Sequence, residues 1–171
     1  VTGAQLLAIM PFAGQRAALY LAPLNNAMQE FGIDTPARQA SFLAQVGHES
    51  AQLRYVRELA SGAAYEGRTD LGNVIAGDGM RFKGRGLLQV TGRANYAACG
   101  VALGINLLAA PQLLEQPGTA CRSAAWFWHS RGLNRLADAG DQERITRRIN
   151  GGLNGLADRL ALFQVARKVL S

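Results

Sequence analysis

Aromatic residues make up only 7% of the 171 positions, and histidine and cysteine occur twice each. Two cysteines, Cys99 and Cys121, cannot build a disulfide framework, and with His48 and His129 they form no spacing that suits zinc; two small buried thiols are expected instead. No cofactor or metal is expected. No glycine-rich run ends in the GK[ST] of a phosphate loop, so nucleotide binding has no support. The longest early apolar run, Ala4 to Ala13, is too short to span a bilayer and has no basic residue before it, so neither a membrane anchor nor a signal peptide is expected. Lys and Arg are spread along the chain with few interleaved aromatics, which argues against nucleic acid as a partner.

What is abundant is apolar residues, at 49%, and positive charge, with 18 Lys and Arg against 12 Asp and Glu for a net +6. The first is enough for a proper core in one domain over 1–171. The second suits an anionic partner, such as an acidic polymer of the cell envelope.

The chain reads as mainly α. A short helix stops at Pro11, and a second runs from Gln15 to Phe31 with an interruption expected at Pro23. Thr35 and Pro36 form a start signal for a third. Thr119 to Ser130 carries Ala124, Ala125, Trp126, Phe127 and Trp128, too apolar for a surface element. Asp141 caps a helix through Ile145 and Ile149, and Leu153 to Leu170 forms the last, with Leu156, Leu160 and Phe163 inward. Between Ala60 and Gly86 lie seven glycines, mixed charges and no sustained period, the composition of a loop that walls a site, with a short hairpin possible.

The third helix holds the first chemical signal. Phe42, Val46 and Glu49 fall at i, i+4 and i+7, so the Glu49 carboxyl continues an apolar stripe, where burial would raise its pKa and suit it to act as a general acid. Glu58 is the candidate partner. One continuous helix would put it on the opposite face and about 13 Å further along. A shared site therefore requires the helix to end near Ser50 and the chain to bend; otherwise Glu58 is a surface carboxylate. Glu66 is a rival by proximity. In Gly84 to Thr91, Gln89 and Thr91 alternate with Leu88 and Val90, so an extended segment would aim an amide and a hydroxyl the same way, either into a site or outward from an edge strand. His48 is expected to hydrogen-bond beside Glu49, and Trp126 and Trp128 to lie in the core.

The pieces QASFLAQVGHES (Gln39 to Ser50), Glu58, FKGRGLLQVTGRANY (Phe82 to Tyr96), SAAWFW (Ser123 to Trp128) and ITRRINGGLNGLADR (Ile145 to Arg159) resemble, in order and spacing, the glycoside hydrolase family 19 catalytic domain in its compact bacteriophage endolysin form. The resemblance implies a lysozyme-like, two-lobed helical fold with a small irregular or β lobe and a central cleft. It also implies hydrolysis of β-1,4 bonds in an amino-sugar polymer with inversion. Glu49 would be the general acid, Glu58 the general base, and Thr91 would help position water. Gln89, Asn150 and Arg159 would contact the sugar chain, with His48 and Tyr96 as further substrate-binding candidates. Only 25 residues separate Glu58 from Gly84, fewer than in plant chitinases of the family, which suits the lysin branch.

The expected function is thus a monomeric muramidase acting on peptidoglycan glycan strands, made in the host cytoplasm and reaching the wall through a holin or similar pore. A chitinase, an antibacterial effector of the same chemistry and a non-catalytic basic wall-binding module are the alternatives.

Overall fold

The computed structural model describes residues 1–171, and its regular structure is almost all helical: α1 (Gly3–Ile9), α2 (Arg16–Glu30), α3 (Pro36–Glu49), α4 (Asp78–Arg81), α5 (Arg93–Leu103), α6 (Pro117–Ser130), α7 (Leu133–Asp138), α8 (Gln142–Asn150) and α9 (Leu156–Leu170). Extended pairing is limited to single bridges, Arg57 with Arg85 and Arg85 with Val90. No helix is long and apolar enough to cross a membrane.

The helices form two lobes with separate cores. In the larger, α3 packs on α9 and α2 on α6. Phe42 and Trp128 meet edge to face there, ring centroids 5.5 Å apart, and both are fully buried. In the smaller, Phe82, Val90, Tyr96, Cys99, Leu103, Leu107 and Leu114 cluster around α5. Phe31 and Trp126 touch both cores and join the lobes. Cys99 and Cys121 are free and buried, and burial pushes the Cys99 thiol up to about 12.

The expected break at Pro23 does not occur: α2 runs straight through it. The carbonyl that loses its donor belongs to Leu19, which is exposed, so water can take the place of the missing N–H.

α3 begins as the Thr35-Pro36 signal requires, with the Thr35 hydroxyl accepting from the Arg38 N–H. It ends at Glu49. Ala51, Gln52 and Leu53 then all have positive φ, 48°, 57° and 66°, a left-handed turn made without glycine. Such a conformation costs an L-residue roughly 1–2 kcal/mol, so surrounding contacts must hold it. Ser50 Oγ donates to the Val46 carbonyl at 2.6 Å and accepts from the Leu53 N–H at 2.8 Å, Leu53 is buried in the large core, and Gln52 Oε1 accepts from the Phe12 N–H. The turn sends the chain out of α3 toward the small lobe.

Between 60 and 86 the glycine-rich stretch forms short helical turns at Ala63–Tyr65, Thr69–Leu71 and α4. Asp78 ties α4 to α5. Its two oxygens accept from Arg93 Nη2 at 2.7 Å and Nε at 2.8 Å, and this pairing holds the buried carboxyl below the usual aspartate range.

Candidate active site

Glu49 closes the last turn of α3, on the large lobe. The hydrocarbon wall expected around it is replaced by a guanidinium: Arg159 of α9 donates through Nη2 to Glu49 Oε1 at 2.5 Å, and the Glu49 side chain remains 23% exposed. The same Arg159 donates through Nη1 to Gln45 Oε1 at 2.5 Å and through Nε to the Asn154 carbonyl at 3.1 Å. Gln45 is wholly buried one turn before Glu49, and its amide reaches Thr146 of α8, whose hydroxyl donates to the Gln142 carbonyl. One oxygen of the acid is thus held by a polar network joining α3, α8 and α9. The other has no protein partner and is free for a ligand.

Glu58 lies beyond the left-handed turn, on the small lobe. Its Oε2 accepts from the Tyr65 hydroxyl at 2.9 Å and its Oε1 from the Gly84 N–H at 2.8 Å, while the Glu58 N–H donates to the Gly84 carbonyl. Burial, and then the bond to this carboxylate, raises the Tyr65 pKa, so its proton stays on the phenol and points at Glu58. Both carboxylate oxygens keep lone pairs for water.

Gln89 and Thr91 reach the same place as Glu58, though not as an extended strand. Residues 86 to 89 form a tight turn closed by the Arg85 and Val90 pair, with Gln89 at φ 45°. A Cβ at Gly84 would sit 2.9 Å from Gln89 Oε1 and 3.2 Å from Thr91 Oγ1, so a side chain there would displace the amide and crowd the hydroxyl. Gly84 therefore has two roles, donating to Glu58 and leaving room for the amide and hydroxyl. Neither the Gln89 amide nor the Thr91 hydroxyl has a protein partner, and both are partly exposed.

Two substrate candidates take other positions. Tyr96 is fully buried, its hydroxyl donating to the Lys83 carbonyl at 2.5 Å and accepting from Arg85 Nη1 at 3.0 Å, and burial pushes its pKa up to about 12. It fixes the residues on either side of Gly84 and cannot touch a ligand. The Arg159 side chain is 1% exposed, so it acts through Glu49 and not on a sugar. Asn150, the exposed last residue of α8, has no side-chain bond. His48 pairs through Nδ1 with Asp158 at 2.6 Å, and its ring lies where a Cβ of Gly155 would be.

Glu66 is committed elsewhere. Both its oxygens accept backbone N–H groups, from Gly77 at 2.7 Å and Gly79 at 2.8 Å, and clamp the loop. Tyr65, Gln45 and Asp158 are site residues that the sequence reading did not single out. A signal existed for Gln45, a polar residue inside an apolar helical run one turn before the acid; for a lone tyrosine in a glycine-rich loop there was none.

Residues 34–137 match the family model described as chitinase class I of the glycoside hydrolase 19 family. A Haemophilus influenzae protein named as containing a glycosyl hydrolase family 19 domain is 31% identical over 168 residues, covering 80% of this chain and 82% of that protein. Endochitinase A of Zea mays is 34% identical over 115 residues, 67% of this chain and 40% of its own length; the chain spans about two fifths of such plant relatives. Among solved structures, chitinase C from Streptomyces griseus superposes with a TM-score of 0.82 at 28% identity over 99% of this chain and 76% of that one. A bacterial family 19 chitinase gives 0.84 over 100% and 95%, and at 23% identity that likeness is one of fold. The two-lobed helical architecture and these relatives agree: the chain belongs to glycoside hydrolase family 19 and is a glycosidase.

Proposed function

We propose that the protein cleaves β-1,4 links between N-acetylated amino sugars by inversion, with Glu49 as general acid and Glu58 as general base, and that its polymer is the glycan strand of peptidoglycan. The observation that carries the acid and base assignment is the placement of the two carboxylates on different lobes. A left-handed turn divides them between lobes, and each is held through different partners.

An inverting pair stands roughly 6.5 to 9.5 Å apart so that a water fits between base and sugar. In the reaction, a water beside Thr91 gives a proton to Glu58 as its oxygen bonds the anomeric carbon. The bond from that carbon to the bridging oxygen breaks, and the free oxygen of Glu49 supplies the proton the leaving hydroxyl needs. Arg159 stabilises the Glu49 carboxylate left behind. Gln89 and Asn150, with unused amides, hydrogen-bond the sugars.

Peptidoglycan is favoured by the net charge of +6, which attracts an anionic wall. The protein would act there as a monomer, in the manner of an endolysin. The second reading, chitin as substrate, is supported by the plant relatives, which are named endochitinases.

The test is release of reducing ends from purified peptidoglycan and from chitin oligomers by the wild type, Glu49→Gln and Glu58→Gln, with products identified by mass spectrometry. Each amide should lower the rate about 10²- to 10⁴-fold. Products ending in reducing N-acetylmuramic acid support the wall reading, whereas cleavage of chitin oligomers alone transfers the assignment to chitin. Full activity in either variant would remove the acid and base roles.

A further inference from the structure

At the end of α3, on the side that carries His48, lies a cavity of about 660 Å³ lined by Phe12, Arg16, His48, Gln52, Arg54 and Asp158. Its charge is unbalanced. Neither Arg16 nor Arg54 has a carboxylate within ion-pairing distance, and the one acid present, Asp158, is already bound to His48. Arg16 donates Nη2 to the Phe12 carbonyl at 2.7 Å, which holds its guanidinium in place, and its Nε is buried without a partner. Arg54 rests its guanidinium on the Tyr55 ring, 5.2 Å from the centroid, and its side chain makes no hydrogen bond. Two guanidinium groups without a carboxylate partner, with the exposed Phe12 ring beside them, suit a carboxylate carried on a short aliphatic chain.

The position narrows the ligand. Gly47, His48 and Ala51 line the cavity, so it adjoins the end of α3, the helix whose last residue is Glu49. Chitin bears no carboxylate at all. In peptidoglycan every second sugar carries a lactyl group extended by a stem peptide rich in free carboxylates.

We infer that this cavity binds a stem-peptide carboxylate through Arg16 and Arg54, placing a peptide-bearing sugar next to Glu49. The inference rests on the peptidoglycan reading and extends it from the glycan to its side chain. It identifies a specificity site separate from the residues that perform the hydrolysis.

Binding is measured without hydrolysis, so the two readings fail separately. A synthetic stem tripeptide with free carboxylates, and the same peptide with every carboxylate amidated, are titrated calorimetrically into the wild type, Arg54→Gln and Arg16→Gln/Arg54→Gln. Because Arg54 is exposed and its side chain makes no hydrogen bond, Arg54→Gln keeps the fold, which its melting midpoint verifies. The free peptide should bind the wild type, about tenfold more weakly to Arg54→Gln, and not measurably to the double variant, since a charge-assisted bond is worth at least that factor. The amidated peptide should not bind. Absence of binding to the wild type, equal binding of the amidated peptide, or equal binding by Arg54→Gln would overturn the inference even if peptidoglycan is cleaved. Peptide binding that depends on Arg54 would sustain the site even if hydrolysis of peptidoglycan were not seen.

Discussion

Replacing Arg159 by methionine separates what holds Glu49 in place from what its proposed role as acid requires. The guanidinium has three partners, Glu49, Gln45 and the Asn154 carbonyl, and its side chain is 1% exposed. Methionine fills much of the volume but donates nothing. Breaking a buried pair from one side costs about 3–5 kcal/mol, and Glu49, 23% exposed, can turn toward water, which places the loss near the low end. Gln45 Oε1 has no other donor and contributes its own desolvation. For a chain of this size about 3 kcal/mol corresponds to a fall in melting temperature of roughly 6–12 °C. Glu49→Gln differs, because the amide oxygen still accepts from Arg159 and only the charge assistance disappears, about 1 kcal/mol or roughly 2–4 °C. Both variants should lose activity, Glu49→Gln through the missing proton and Arg159→Met by about 10²-fold through a displaced carboxyl. The assay pairs thermal melting with turnover of a soluble oligosaccharide. Should Arg159→Met melt within 2 °C of the wild type, or Glu49→Gln melt as low as Arg159→Met, the anchoring role is wrong.

Three other outcomes follow from local geometry. Ala51→Gly removes a non-glycine residue from φ 48°; relief of roughly 1–2 kcal/mol against an entropic cost of roughly 0.5–1 kcal/mol gives a net gain of roughly 0–1.5 kcal/mol in urea unfolding, and a loss would mean the turn is not strained. Asp78 has its folded pKa lowered by Arg93, so its contribution is complete above the ordinary value of 3.8 and disappears as pH falls through the lower folded value. Asp78→Asn should therefore be less stable than the wild type near pH 7 and converge with it in acid, and a constant gap across melts from pH 7 to 2 would contradict this. Gly155→Ala must displace the His48 ring and adopt φ 71°, so it should cost more than the roughly 1–2 kcal/mol of the backbone alone, and NMR of the His48 ring should show loss of the Asp158 bond.

How much of this was legible depended on whether the cause was local. Thr35 and Pro36 start α3 through backbone chemistry that any sequence displays, and the need for a bend before Glu58 follows from helix geometry once the two glutamates are paired. The bend itself is invisible, because Ala51, Gln52 and Leu53 carry no turn signal. They adopt positive φ since Ser50 Oγ and the burial of Leu53 hold them there. The interruption expected at Pro23 is absent because of where Leu19 faces, which a propensity does not contain. On α9 periodicity pointed inward to Leu156, Leu160 and Phe163, yet the most buried of the helix's charged residues is Arg159, 2% exposed. A pattern of apolar spacing cannot anticipate a guanidinium whose partners come from other helices. The alternation of Gln89 with Thr91 led to the same neighbourhood by a different backbone, since a tight turn brings both to Gly84.

The two carboxylates of the proposed reaction are held to different tolerances. Glu49 stands on the large lobe, where α3 packs along α9 and Arg159 ties the carboxyl to a buried network, so its position is set by the main core. Glu58 depends on one tyrosine hydroxyl, one glycine N–H and a loop that Glu66 clamps through two more glycines. Its lobe has a core of a few residues, joined to the other by Phe31 and Trp126. Anything that shifts the lobes moves the base relative to the acid and leaves the acid's own bonds intact. An inverting reaction suits this arrangement, because the base never bonds to the sugar and acts through a water that can adjust to the gap. The proposed acid must meet one oxygen directly, and Glu49 is the carboxylate that this fold ties to its main core.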